Sequence, residues 1–502
     1  MRPALLRDDR VLGWVTALGV TAVAAALRLP GLGRPHDLVF DETFYVKDAW
    51  TLLNLGYEAQ WPAEPDPGFV AGQVDTYTDR ASYVVHPPVG KWVIALGLRL
   101  LGAQDPVGWR LGTAVAGIVA VLLLTRIARR LTGSTTLGAT AGLLLAVDGT
   151  AIVMSRTAVL DGILMTFVLA AFGALLLDRD RARSRLLATT GPPRAASRWG
   201  PGLGLRPWRL VAGVLLGLAV GTKWSGLWFL AAFGLMTVAW DVASRRRAGV
   251  RSPRLGTLVR DAVPAFASVV VVAAGSYLAG WGAWLRGSGG YGRAWAAMHP
   301  GEGVTWLPDP LRALWHYHQE MWRFHTTLTA EHPYAAHPLG WVLQWRPTSF
   351  FYESPEPPEQ ACGAERCAQA VTSLGNPVLW WLAALALVAC VWWVVRRRDG
   401  VAAVALTGVA AGWLPWFAYS HRTIFTFYAI VLLPWLVLAL TCAVGRLVAW
   451  GRRNDRTLTV RAVLVGLATL VLAVSVFYYP LWTAQVIPFR TWQLHMWLPS
   501  WV

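Results

Sequence analysis

The sequence predicts an all-α polytopic membrane protein with about eleven transmembrane helices and two large external loops. Three observations carry that prediction. Apolar residues make up 55% of the chain and charged residues only 15%, where an ordinary soluble chain carries about 25% charge. The apolar residues fall in long runs, such as 263–282 and 463–480, long enough to cross a hydrocarbon core of roughly 30 Å as helices. The basic residues are gathered in short polar segments between those runs: Arg126/Arg129/Arg130, Arg179 to Arg209, Arg245/Arg246/Arg247, Arg396/Arg397/Arg398 and Arg452/Arg453/Arg456. A soluble protein with buried helices would need shorter, amphipathic runs. A net charge of +17 suggests nucleic acid only until its distribution is seen, because cationic loops held on the cytoplasmic side give this pattern.

Helices are expected near 11–29, 107–127, 135–153, 158–177, 208–222, 224–241, 262–282, 376–395, 400–417, 424–445 and 461–480. The first follows Arg2, Arg7 and Arg10. It reads as a retained helix rather than a signal peptide, because the run is long and Arg28-Leu-Pro-Gly is a poor cleavage site. Placing the N-terminus inside and alternating puts every Arg cluster on the cytoplasmic side. The chain then divides into the cytoplasmic N-terminus and first helix (1–30), a first external loop (31–106), helices two to seven (107–282), a large external loop (283–375), helices eight to eleven (376–480) and an external tail (481–502). Residues 31–85 hold nine acidic residues against three basic ones. Val93 to Leu101 has the pattern of an amphipathic helix lying on the membrane surface. Cys390 and Cys442 lie in apolar runs and read as core residues. Cys362 and Cys367 share one polar loop, which is compatible with a small disulfide if the loop is external.

Several segments carry chemistry. Asp41-Glu42 sits among apolar and aromatic neighbours shortly after the first helix. A carboxylate there suits a base that takes a proton from a hydroxyl. The alternative is a helix N-cap at Asp41. His86-Pro-Pro-Val-Gly-Lys91 reads as a rigid polar loop in which His86 and Lys91 bracket a turn. Ser155-Arg156, with Leu160-Asp161 after it, Gly221-Thr-Lys-Trp-Ser-Gly226 and Ser420-His-Arg-Thr423 each place a cation at the outer edge of the helices. Snorkelling explains a lone cation. Three on the side otherwise poor in positive charge fit a lipid-linked phosphate, which Arg can hold bidentately. The chain has only three Lys (Lys47, Lys91, Lys223), all expected at the outer side, where a compact ammonium differs from a guanidinium. The six His of loop 283–375 lack the spacing of a metal site, and an aromatic-lined surface for an extended peptide is the preferred reading of that loop.

Together these stretches resemble the protein O-mannosyltransferases, specifically the actinobacterial kind, within the GT-C class of membrane glycosyltransferases. The resemblance rests on Phe40-Asp-Glu-Thr-Phe-Tyr-Val-Lys-Asp48, His86-Pro-Pro-Val-Gly-Lys-Trp92, Ser155-Arg-Thr-Ala-Val-Leu-Asp161, Gly221-Thr-Lys-Trp-Ser-Gly226, His332-Pro-Tyr-Ala-Ala-His-Pro338 with Arg346-Pro347, and Ser420-His-Arg-Thr-Ile-Phe-Thr-Phe-Tyr428. They run from the first helix to the tenth. The resemblance implies a polyprenyl-phosphate mannose donor, Ser/Thr hydroxyls of exported proteins as acceptors, and inversion at the sugar carbon on the outer face of the plasma membrane. It implies Asp41 as the base, with Glu42 orienting base or acceptor, and Arg156 on the donor phosphate. Arg422 and Lys223 join Arg156 by location, and His86, Lys91, Asp161, His332 and Tyr334 are expected around the substrates. No metal is expected, because cations already meet the leaving phosphate. Loop 283–375 is too short for the soluble insert of eukaryotic members, which leaves acceptor selection open. The export channel is a further expected partner. The rival acceptor is a lipid or cell-wall glycan. A transporter fits less well, because the polar motifs sit at the outer edge and no repeat is seen.

Overall fold

The structure, a computed structural model, describes residues 5–189, 198–356 and 362–502. The middle of the Arg179 to Arg209 segment lies outside the described residues. The chain packs as two units. The first is Met1–Val85, Lys91–Ile163 and Ala283–Val502, and the second is His86–Gly90 and Leu164–Gly282.

The principal helices are α1 (Leu5–Arg28), α2 (Glu42–Leu55), α3 (Asp66–Val70), α4 (Val89–Leu101), α5 (Pro106–Thr132), α6 (Thr135–Val147), α7 (Gly149–Arg156), α8 (Leu160–Thr189), α9 (Pro207–Thr222) and α10 (Gly226–Arg247). They continue with α11 (Pro253–Gly280), α12 (Asp309–Thr327), α13 (Pro377–Arg397), α14 (Gly400–Ala418), α15 (Leu433–Arg453) and α16 (Thr457–Trp482). Their starts follow local chemistry. Side chains of Asp105, Ser134, Asn376 and Asp399 accept from the first free N–H groups of α5, α6, α13 and α14. Proline opens α5, α9 and α13, where no amide donor is needed.

Each of the eleven expected helices has a counterpart. Nine helices among the described residues are long and apolar enough to cross a membrane, and α6 with α7, bent by 60°, makes a tenth. The remaining one, α9, has 16 residues and spans about 24 Å. The expected unbroken helix over 135–153 is broken at Asp148. Its Oδ1 accepts from Ala151 N at 3.1 Å, and its Oδ2 accepts from Asn376 N at 3.0 Å and Trp380 Nε1 at 2.8 Å. One buried carboxylate thus caps α7 and ties the bend to the start of α13. The expected helix over 424–445 begins only at Leu433, because Thr426–Val431 form a tight 3-10 turn that carries Phe427 and Tyr428 into an aromatic cluster.

Among the described residues, both long loops carry secondary structure. In the first, α4 buries Ile94, Ala95 and Leu98 and exposes Leu96 and Leu100, the two-faced helix the sequence suggests. It lies directly on α5, where a Cβ added to Gly112 would sit 2.2 Å from Val93 O. In the second, α12 buries Leu314, Tyr317 and Met321 and exposes Trp315 and Trp322. An antiparallel sheet follows, absent from the all-α expectation. β1 (Thr348–Glu353) pairs with β2 (Cys367–Ser373), and β2 pairs with β3 (Ile487–Pro488). Residues 481–502 are therefore not a free tail. β3 closes the sheet, and Trp501 Nε1 donates to Gln344 O at 2.8 Å. A disulfide joins Cys362 and Cys367 at the start of β2. Cys390 and Cys442 are buried thiols.

In the second unit, three arginines of the expected cationic segments are buried in ion pairs. Arg206 and Arg209 share Asp178 and Asp241, and Arg245 donates to both carboxylate oxygens of Asp261, through Nε at 2.7 Å and Nη2 at 3.0 Å. Buried charge of this kind needs a partner, and each of these carboxylates comes from another segment of the same unit. Cationic residues at these positions therefore also hold helix ends together.

Candidate active site

The turn from α1 to α2 is fixed at Phe40 and Glu42. Phe40 has φ of 51°, a left-handed backbone that few bulky residues adopt. Its ring is held on every side: it stacks on Phe350 with centroids 4.7 Å apart, and meets Phe425, Phe427 and His332 edge-on at 5.7, 5.5 and 6.2 Å. Two residues on, Glu42 is fully buried. Arg110 of α5 grips it with two parallel bonds of 2.8 Å, and the amides of Ala158 and Val39 donate to it at 2.7 and 3.0 Å. Arg110 spends its remaining N–H groups on the carbonyls of Leu32, Pro35 and Asp37. Glu42 therefore has every acceptor position used inside the protein.

Between these two locked residues sits Asp41, partly exposed. It occupies the N-cap position of α2, yet its side chain makes no capping hydrogen bond. The N-cap alternative fails on that point. The Tyr45 hydroxyl donates to Asp41 Oδ2 at 3.4 Å. Burial, and after it the charges of Asp41 and Asp161, raise the Tyr45 pKa well above its usual value. Asp161, buried in the first turn of α8, thus shares this electrostatic neighbourhood.

Arg156 has a different setting from the one its motif suggested. Its terminal nitrogens donate to the carbonyls of Arg28, Pro30 and Gly31 at 2.5 to 2.8 Å, capping the end of α1. Its Nε is buried without a hydrogen-bond partner among the described residues. Arg28 does the reciprocal work, donating to the carbonyls of Ala146 and Leu145 at the end of α6 and to Ser155 Oγ. Such contacts satisfy carbonyls that a helix end leaves open. Arg422 lies on the segment leading into the aromatic cluster. Three residues on, Phe425 packs against Phe40 and against His332 at 4.9 Å. Ala336 N donates to Ile424 O at 2.8 Å, so this segment and the His332 loop run together. The Arg422 Nε is also buried without a partner among the described residues.

His332 accepts from the Tyr334 amide at 3.1 Å through Nδ1, and the Arg346 Nε donates to Pro333 O. Lys91 is buried and bonded to Glu58, with Asp48 at 3.6 Å, and Lys47 is paired with Asp66. These two ammonium groups hold the first long loop together. Burial pushes the Asp48 carboxyl up to about 6, an effect that Lys91 opposes. His86 and Lys223 belong to the second unit, where Lys223 is buried just after α9. Among the described residues, no group of three or more His, Cys, Asp or Glu side chains is placed to hold a metal ion.

Arg28, Arg110 and Asp148 were not singled out in the sequence. Each is an ionisable residue at or inside an apolar run, a default pointer to a functional or positioning role in a membrane protein.

A sequence model described as "Dolichyl-phosphate-mannose-protein mannosyltransferase" matches residues 85–191. Another, the "C-terminal four TMM region of protein-O-mannosyltransferase", matches residues 310–501. The polyprenol-phosphate-mannose–protein mannosyltransferase of Mycobacterium tuberculosis is 39% identical across 98% of this chain and 92% of its own. The chain belongs to the polyprenol-phosphate-mannose–protein mannosyltransferase family. A mannosyltransferase of the same name from Mycolicibacterium smegmatis is 40% identical over 98% of this chain and 94% of its own, and one from Corynebacterium glutamicum 33% identical over 92% and 88%. The fold of this mannosyltransferase matches that of the S. cerevisiae protein O-mannosyltransferase Pmt1-Pmt2 complex bound to the sugar donor, with a TM-score of 0.74 at 14% identity over 98% of this chain and 92% of that one. The GT-C fold expected from the sequence is the one observed.

Proposed function

We propose that the protein transfers mannose from polyprenyl-phosphate mannose to Ser/Thr hydroxyls of exported proteins, at the outer face of the plasma membrane and with inversion at the sugar carbon. The observation that carries this reading is Asp41, a partly exposed carboxylate set between two residues that cannot move. Asp41 takes the acceptor hydroxyl proton. The acceptor oxygen bonds to the anomeric carbon on the face opposite the phosphate, and the bond to the phosphate oxygen breaks. A β-linked donor gives an α-mannoside, and the polyprenyl phosphate leaves with one more negative charge.

That charge needs cations already in place as it builds. Arg422 is the first choice, because its segment carries Phe425 onto Phe40 beside Asp41. Arg156 has committed its terminal nitrogens to the end of α1. Its contribution is the charge it holds beside the site. Lys223 keeps its proposed place on the donor from the sequence motif alone. Glu42 works through Asp41, as a positioning residue fixed by Arg110. Asp161, Tyr45, His332 and Tyr334 shape the surroundings of the base, and His86 and Lys91 belong to the substrate loop in this reading. The Cys362–Cys367 disulfide supports the external placement of residues 283–375, since such bonds persist in oxidising compartments. Docking on the export channel fits an acceptor that is threaded through the membrane unfolded.

The test is transfer by the purified protein from polyprenyl-phosphate mannose to a Ser/Thr peptide, with the anomer of the product assigned. An α-mannosylated peptide supports the proposal. Transfer to a lipid or glycan acceptor, with none to peptide, would replace the acceptor.

A further inference from the structure

A cleft of about 660 Å³ opens in the first unit, between a face of β1 and β2 and the C-terminal residues. One wall is aromatic. Tyr352 of β1 and Trp492 lie with centroids 5.0 Å apart, Trp492 stacks on Phe489 at 5.4 Å, and the Arg366 guanidinium sits 3.8 Å over the Phe489 ring. Tyr334 and Ser349 close the other end. That end leads to the catalytic turn. Tyr334 and His332 have ring centroids 6.0 Å apart, His332 meets Phe40, and Phe350, next to Ser349, stacks on Phe40 beside Asp41.

We infer that this cleft holds the acceptor polypeptide on one side of the modified Ser or Thr, which rests on the proposed transfer to protein. Two features select an extended peptide. Rings with polar rims suit proline and small apolar residues, whose extended form costs little entropy to bind. Continuity with Phe40 places the occupant beside Asp41, so the residues in the cleft flank the modified one. A polyprenyl tail is a poorer fit, because the Arg366 guanidinium lines the cleft.

The test compares a blocked tripeptide around one Thr with a peptide of about twelve residues around the same Thr, for the full-length protein and its Trp492→Ala and Tyr352→Ala variants. KM for the long peptide is expected to rise about fivefold or more with kcat little changed, while the tripeptide reacts as before. Trp492→Phe is expected to restore most of the loss. Trp306→Ala, at a residue 82% exposed elsewhere in the same loop, is the control and leaves both peptides unaffected. Unchanged KM for the long peptide in both alanine variants overturns the cleft alone, as does an equal loss for both peptides. Failure of the wild type to mannosylate either peptide overturns the transfer reading and the cleft with it, before any variant is compared.

Discussion

Asp41 and Glu42 are adjacent in sequence and opposite in circumstance. One carboxylate is partly open and makes no cap, and the other is sealed against Arg110. Removing half of a buried pair leaves an uncompensated charge, at a cost of about 3–5 kcal/mol. Glu42→Ala is therefore expected to lower the unfolding temperature sharply. Glu42→Gln, which keeps the shape, is expected to lower kcat with little change in acceptor KM, because it loosens Asp41 rather than the substrate. Asp48 gives a pH-dependent case. Its carboxyl is raised from 3.8 to about 6 on folding, so its contribution to stability is fully present below about pH 4 and is lost as pH rises through about 6. Asp48→Asn should then stabilise the protein more at pH 8 than at pH 5, with Lys91 still held by Glu58. Thermal unfolding at the two pH values checks the sign. The sequence marked the Asp-Glu pair but not its division of labour, because the partner that silences Glu42 lies 68 residues away. Arg156 was marked for its charge, and its three carbonyl partners lie 125 to 128 residues away.

At the scale of elements, the helices were legible because each needs a long apolar run, and caps or prolines mark many of their starts. Their breaks were less legible. The bend after Val147 depends on Asp148 meeting Asn376 and Trp380, a contact between segments more than two hundred residues apart. Gly149 begins α7 at that bend, and a Cβ there would lie 2.0 Å from Trp482 and 2.2 Å from Leu374 O. A backbone oxygen has little room to give way. Gly149→Ala is expected to destabilise the protein by about 1–3 kcal/mol, read as a lower unfolding temperature, with larger losses in activity than in donor binding. The late start of α15 has the same origin. Phe425, Phe427 and Tyr428 are drawn into the cluster around Phe40, so packing outweighs the helical tendency of the residues around them.

For the whole molecule, composition and charge placement fixed the membrane class, and the order of motifs along the chain indicated the family. The small sheet escaped notice because β3 is two residues long and joins the C-terminal segment to a strand 120 residues earlier. It carries no alternation to read. Orientation is testable through the disulfide. After mild reduction of intact cells, a membrane-impermeant maleimide is expected to label the partly exposed Cys362 but not the buried Cys367, Cys390 and Cys442. Labelling only after the cells are opened would reverse the proposed sidedness.

The most direct measurement is mannose transfer to peptide by purified wild type and Asp41→Asn at saturating donor, with donor binding measured alongside. The account predicts a fall in kcat of about a hundredfold or more, the scale of a lost general base, with donor affinity retained. Near wild-type turnover by Asp41→Asn would contradict it and move the base to another group beside Tyr45, with Asp161 first in line.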